Sequence, residues 1–135
     1  DYSFGLFSNN MAVHVKRSMR VPVGQGREQF GEVMGALATI PAMAAGPMAD
    51  HLAEQGPRFP LGTTVMLCTA LITEAMVVTL DVLAHARIKL VVMYVGHVEP
   101  PELPDRVLIY SMREHLVRME SAARSEDDRI NIQGS

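Results

Sequence analysis

The sequence predicts an α/β domain built on a mainly parallel sheet, and three observations carry that prediction. Val65 to Thr69 (VMLCT) and Leu90 to Val95 (LVVMYV) are continuous apolar runs without alternation, as expected of strands buried on both faces beneath helices. Between them Met76, Val77, Leu80, Leu83 and Ala84 recur at helical spacing, which makes the stretch a strand, helix, strand crossover, expected to be right-handed. The chain has 135 residues, 48% hydrophobic and 20% charged, enough for one ordinary globular core and too few for two.

Taken in order, Tyr2 to Phe7 (YSFGLF) reads as a first strand stopped by the turn-forming trio Ser8, Asn9 and Asn10. Val13 to Val23 alternates Val13, Val15, Met19, Val21 and Val23 with polar residues, the period of a strand with one wet face. Pro22 cannot donate to a ladder, and Lys16, Arg17 and Arg20 discourage another chain from adding on, so this strand is expected at an edge. The same three cations form a weak anion-patch candidate, although a solvated edge explains them.

Gly24 and Gly26 release the chain into a helix over about Arg27 to Ile40, with Phe30, Val33, Met34, Leu37 and Ile40 as the stripe that should pack on a sheet. The segment "VGQGRE" puts two glycines before a helix N-terminus. It lacks the third glycine and the Lys-Ser/Thr of phosphate-binding loops, so it reads as a turn. Pro41 ends the helix, and a shorter one starts at Pro47 and carries Met48 and Leu52 inward until Gly56 and Pro57. After the two apolar strands, the prolines of "GHVEPPELPD" rule out regular structure, and Val107 to Ser111 (VLIYS) is the last strand. From Arg113 the chain turns polar, with a helix expected to Ala123 and a loose tail beyond. The expected organisation is a partial domain over residues 1–112 and a carboxyl-terminal helix and polar tail over 113–135.

Composition narrows the function. The net charge of -3, from 12 Lys+Arg against 15 Asp+Glu, provides no field that would draw in nucleic acid or an anionic membrane. The longest uncharged stretches fall short of the ~20 apolar residues that span a bilayer. A lone cysteine, Cys68, excludes an intramolecular disulfide or a cysteine zinc cluster, suits a reducing, cytoplasmic compartment, and is expected to be a small buried thiol. The chain opens on Asp1 with neither an initiating Met nor a basic-then-apolar leader, which leads to the expectation of a segment of something longer.

Among residues with chemistry to offer, Thr69, Thr73 and Glu74 stand at the carboxyl end of an expected central strand, where open α/β sheets hold ligands. Thr73 also fits a helix N-cap, and Glu74 in the first turn suits the helix dipole, so capping accounts for two of the three. "DYSFG" superficially matches a metal-binding Asp-x-Ser-x-Ser turn through Asp1 and Ser3. Its last serine is Gly5, and no apolar strand precedes it. The histidines at 14, 51, 85, 97 and 115 have no i, i+4 pair, no Gly-x-Ser-x-Gly elbow occurs, and Glu99, Glu102 and Asp105 lie in a proline-rich loop without apolar surroundings. No catalytic residue, metal ligand or cofactor is assigned.

The succession of elements, with "GLFSNN", "GREQFGEVMGALATI" and "GTTVMLCTALITE" in these positions, resembles the carboxyl-terminal half of bacterial proteins of the domain of unknown function 58 family, which are von Willebrand factor A-like. The resemblance covers residues 2 to about 112. It implies a three-layer Rossmann-like sheet of order 3-2-1-4-5-6 with an antiparallel edge strand, and it puts the first central strand and its metal turn before residue 1. The family's aspartate after the fourth strand is absent, since Thr69 and Ala70 stand there, so no metal ligand carries over. Loss of a central strand leaves two edges with unpaired backbone groups. Either residues 2–7 and 65–69 pair directly, or two copies complete one another as a homodimer, the favoured outcome. The resemblance further implies a non-catalytic interaction module whose partner is a MoxR-type AAA+ ATPase in assembly or maturation, with membrane helices upstream in the full-length protein. The rival expectation is a small nucleotide- or anion-binding α/β enzyme using the strand end near Thr69 to Glu74 with Gly24 and Gly26.

Overall fold

The computed structural model describes residues 2–12, 15–41, 44 and 46–133, and within them not the side chains of 11, 12, 15–18, 128, 131 and 133. Two compact units divide the chain, Asp1–Gln55 and Gly56–Ser135.

In the first unit β1 (Phe4–Ala12) pairs antiparallel with β2 (Val15–Gly24) as a two-stranded ladder. Both strands of such a ladder are edges, which accommodates Pro22 in β2. The expected turn at Ser8, Asn9 and Asn10 is instead the middle of a longer β1. The turn chemistry is still used, because Asn10 N–H and its side chain both engage the Ser8 hydroxyl. Over this stretch the register slips from Phe7↔Arg20 to Met11↔Ser18, so the polar trio makes an irregular bulge in place of a reversal. The Asn side chains then reach outward, Asn9 Nδ2 donating to the Gly46 carbonyl at 3.0 Å and Asn10 Nδ2 to the Pro41 carbonyl at 2.6 Å.

Helix α1 (Gly26–Ala38) follows, and α2 (Met48–Gln55) buries Ala49 and Leu52 as its spacing predicts. The stripe expected to pack α1 on a sheet is not buried, since Phe30, Met34 and Leu37 are exposed. The buried residue of α1 is Gln29, whose Nε2 donates to the carbonyls of Phe4 (2.6 Å) and Pro22 (2.8 Å). A two-stranded ribbon offers α1 little apolar surface, so a polar clamp fixes the helix. Gly24 makes room for it, because a Cβ there would collide with the Gln29 carboxamide.

The second unit opens with a short 3-10 turn, Gly56–Arg58, and continues as β3 (Thr64–Thr69), α3 (Glu74–His85), β4 (Lys89–Tyr94), β5 (Val107–Ser111) and α4 (Arg113–Gln133). The two apolar ribbons run side by side in the same direction as the sequence requires, and the sheet order is β3-β4-β5, all parallel. Val65, Leu90 and Val107 share one row, and Leu67, Val92 and Ile109 the next. On that face α3 supplies Met76, Leu80, Leu83 and Ala84, and all but Ile109 of these residues are buried.

Three further expectations about this unit are overturned. Strands buried on both faces were predicted, yet β3 alternates buried Val65 and Leu67 with exposed Met66 and Cys68. Cys68 is therefore an exposed thiol and not a core one. The loose tail past Ala123 is helix as far as Gln133, where continuous strong helix formers are absent but no proline or glycine interrupts residues 113–133.

Candidate functional site

Parallel strands direct their carboxyl ends to one edge of the sheet, and the loops there are where a ligand meets convergent backbone and side-chain groups. The end of β3 is occupied by local hydrogen bonding. Thr69 Oγ1 donates to the Leu71 carbonyl at 2.8 Å and accepts from Leu71 N–H at 3.3 Å, closing its own turn. Thr73 caps α3, accepting from Met76 N–H at 3.2 Å, and Glu74 lies exposed in the first turn of the helix. None of the three lines the cleft described below. Each is explained by the turn that takes the chain from β3 into α3.

The glycines and cations of the first unit receive similar accounts. Gly24 admits Gln29, and Gly26 has φ +82, the left-handed conformation that starts α1. Arg20 is exposed opposite Phe7 in the ladder, while the side chains of Lys16 and Arg17, like Asp1, lie outside the described residues.

A cleft of about 270 Å³ lies at the ends of β4 and β5, one strand over from the expected position. Tyr94, Gly96, His97, Glu99, Ser111 and Arg113 are among its lining residues. The buried Tyr94 ends β4, and its hydroxyl donates to the Val98 carbonyl at 2.8 Å. Gly96 is held so close to the Ala70 carbonyl and the Tyr94 hydroxyl that any Cβ would overlap both. Met112 N–H donates to the Tyr94 carbonyl at 2.8 Å, and Arg113 Nη1 donates to the His97 carbonyl at 3.1 Å. The hydrogen bonds thus tie the loop after β4 to the start of α4. In charge the cleft sets Arg113 against Glu99, so it has no strong preference for an anion. Among the described residues no buried side-chain polar atom lacks a partner, and no group of three or more His, Cys, Asp or Glu could hold a metal ion.

The prolines of residues 96–105 mark a loop, and that pattern alone does not reveal the cleft. The available signal was "YVGH", a glycine directly after an apolar run.

The other face of the parallel sheet is the most distinctive surface of this unit. Met66, Val91 and Leu108 form one row across it, and Cys68, Met93 and Tyr110 the next. Met66 is 62% exposed, Leu108 55% and Tyr110 53%, and none of the six residues carries a charge. Among the described residues no helix is long and apolar enough to cross a membrane. Comparison of the chain with protein-family models, with curated proteins and with solved structures finds no match.

Proposed function

We propose that the chain is a non-catalytic protein-interaction module of von Willebrand A-like type, self-associating as a homodimer and working with a MoxR-type AAA+ ATPase in assembly or maturation. The observation that supports this reading is the bare, uncharged face formed by Met66, Cys68, Val91, Met93, Leu108 and Tyr110. Contiguous apolar surface is costly in water, at roughly 25 cal/mol for each Å² left wet, and on monomeric proteins such patches mark interaction sites. The resemblance of the strand and helix phrases supplies the rest of the proposal, including the identity of the ATPase partner and residence on the cytoplasmic side. Calorimetric titration of a purified MoxR-type ATPase into the protein tests the partner, and sedimentation of the protein beside its Leu108→Lys variant tests the part the face plays in self-association. Heat of binding with the ATPase and loss of the dimer in the variant are expected. No heat of binding retires the ATPase proposal.

A second reading is a small nucleotide- or anion-binding α/β enzyme using the strand end near Thr69 to Glu74, and what supports it is the position of these residues at the carboxyl edge of a parallel sheet. A ligand at a hundred times its dissociation constant adds about 2.7 kcal/mol of stability, so a thermal-shift series with nucleotides, phosphate and divalent metals decides it. An unchanged midpoint with all of them removes this alternative.

A further inference from the structure

Two surfaces of the second unit are exposed among the described residues, and they match. One is the bare sheet face. The other is α4, every described residue of which is exposed, although it runs for 21 residues. In proteins most helical stability comes from packing of an apolar side and not from intrinsic propensity. Along α4 the described residues show one ion pair, Arg118 with Glu114 at 3.8 Å. The helix also works against its own dipole, having the acidic run Glu126, Asp127, Asp128 towards its carboxyl end and no basic residue in the last turn. Packing against something else must supply what the helix lacks.

Size and charge identify that something. Three strands about 4.8 Å apart make a strip as wide as one helix, which is roughly 10 Å across. The rows Cys68-Met93-Tyr110, Met66-Val91-Leu108 and Thr64-Lys89, the last flanked by Arg106 just before β5, follow each other at ~6.6 Å, two strand residues apiece. On α4, Leu116, Met119 and Ala123 fall along one side, with Glu126 and Asp127 about 15 Å beyond Leu116. Laid antiparallel to the strands, the helix sets its apolar side over the first two rows and its acids over Lys89 and Arg106, about 13 Å along. Leu116 and Met119 thereby gain apolar cover, and Glu126 and Asp127 face cations.

A chain's own α4 cannot make this contact. Only Met112 separates β5 from α4, and it is pinned at both sides, its N–H donating to Tyr94 and its carbonyl accepting from Leu116 N–H at 3.0 Å. Turning a helix back over its own sheet takes a connection of two to six residues. We propose that α4 of a second copy lies across the bare face, antiparallel to β3-β4-β5, and that two copies exchange the helix reciprocally. This inference rests on the homodimer part of the function proposed above and assigns that dimer its surfaces.

Cys68 lies on the face in question and reports its cover. Sedimentation of the 135-residue chain, run beside the rate at which Cys68 reacts with an aromatic disulfide reagent, is expected to show dimers whose Cys68 reacts at least tenfold more slowly than in dilute monomer. Lys89→Glu, at an exposed position, should weaken the dimer at least tenfold. Adding Glu126→Lys and Asp127→Lys in the same chain should restore it. A dimer whose Cys68 stays fully reactive overturns the helix exchange while leaving self-association intact. A 14.8 kDa monomer with reactive Cys68 at every concentration overturns both. A monomer with protected Cys68 means that the cover comes from the same chain, which also overturns the exchange.

Discussion

Gln29 and Thr73 show how much a single polar side chain decides here. Gln29 is buried and spans β1 and β2 with two hydrogen bonds, and the space it needs explains Gly24 better than any phosphate does. Thr73 was a candidate ligand residue from its position at a strand end, and its hydroxyl is committed to Met76 N–H. Thr73→Ala should therefore destabilise the protein by about 1 kcal/mol, the usual cost of losing an N-cap. It should leave any ligand affinity unchanged, and urea unfolding beside a nucleotide thermal-shift series measures both. A variant with unaltered stability and weakened ligand binding would return Thr69, Thr73 and Glu74 to the status of a site. The cap was legible from a Thr before an apolar helical run. The clamp was not, because its acceptors are 25 and 7 residues away in sequence.

At the scale of elements, local pattern identified the helices and strands of the described residues more securely than their surroundings. The spacing of Met76, Leu80, Leu83 and Ala84 gives α3 an apolar side that is buried against the parallel sheet, and Leu80 is fully enclosed. Leu80→Ala should cost about 2–5 kcal/mol, the transfer of the lost groups plus the cavity left behind. Denaturant titration should show the midpoint fall with an unchanged slope. A loss under 1 kcal/mol would mean that α3 does not sit on the sheet as described. The same kind of stripe on α1, with Phe30, Met34 and Leu37, is exposed. Periodicity states that a helix has an apolar side, and it is silent on whether a surface exists to receive that side. The runs of β3 and β4 were legible as parallel neighbours for a comparable reason. An apolar run reveals what a strand can tolerate on each face, and not that both faces are filled.

Across the whole molecule, burial is concentrated in the second unit, where β4 lies between β3 and β5 and Val92 is fully enclosed. Local opening is cheapest where few buried contacts must be broken, so amide exchange should be slowest in β4 and α3 and fastest in α4 and the exposed side of α1. Hydrogen–deuterium exchange by mass spectrometry reads this directly. In the dimer of exchanged helices the α4 amides should slow with rising protein concentration while those of α1 do not. Fast exchange throughout β4 would contradict the arrangement of the core.

What the sequence by itself determined is the order and kind of the elements, the parallel pairing of the two apolar ribbons and the helix between them, since these follow from residue spacing and chain connectivity. Only the tertiary structure decided which faces are covered, where the cleft lies, and that Cys68 and Tyr110 meet solvent. The physical reason is that hydrophobic periodicity is a property of one segment. Coverage depends on a second surface brought from elsewhere in the chain, or from another copy of it.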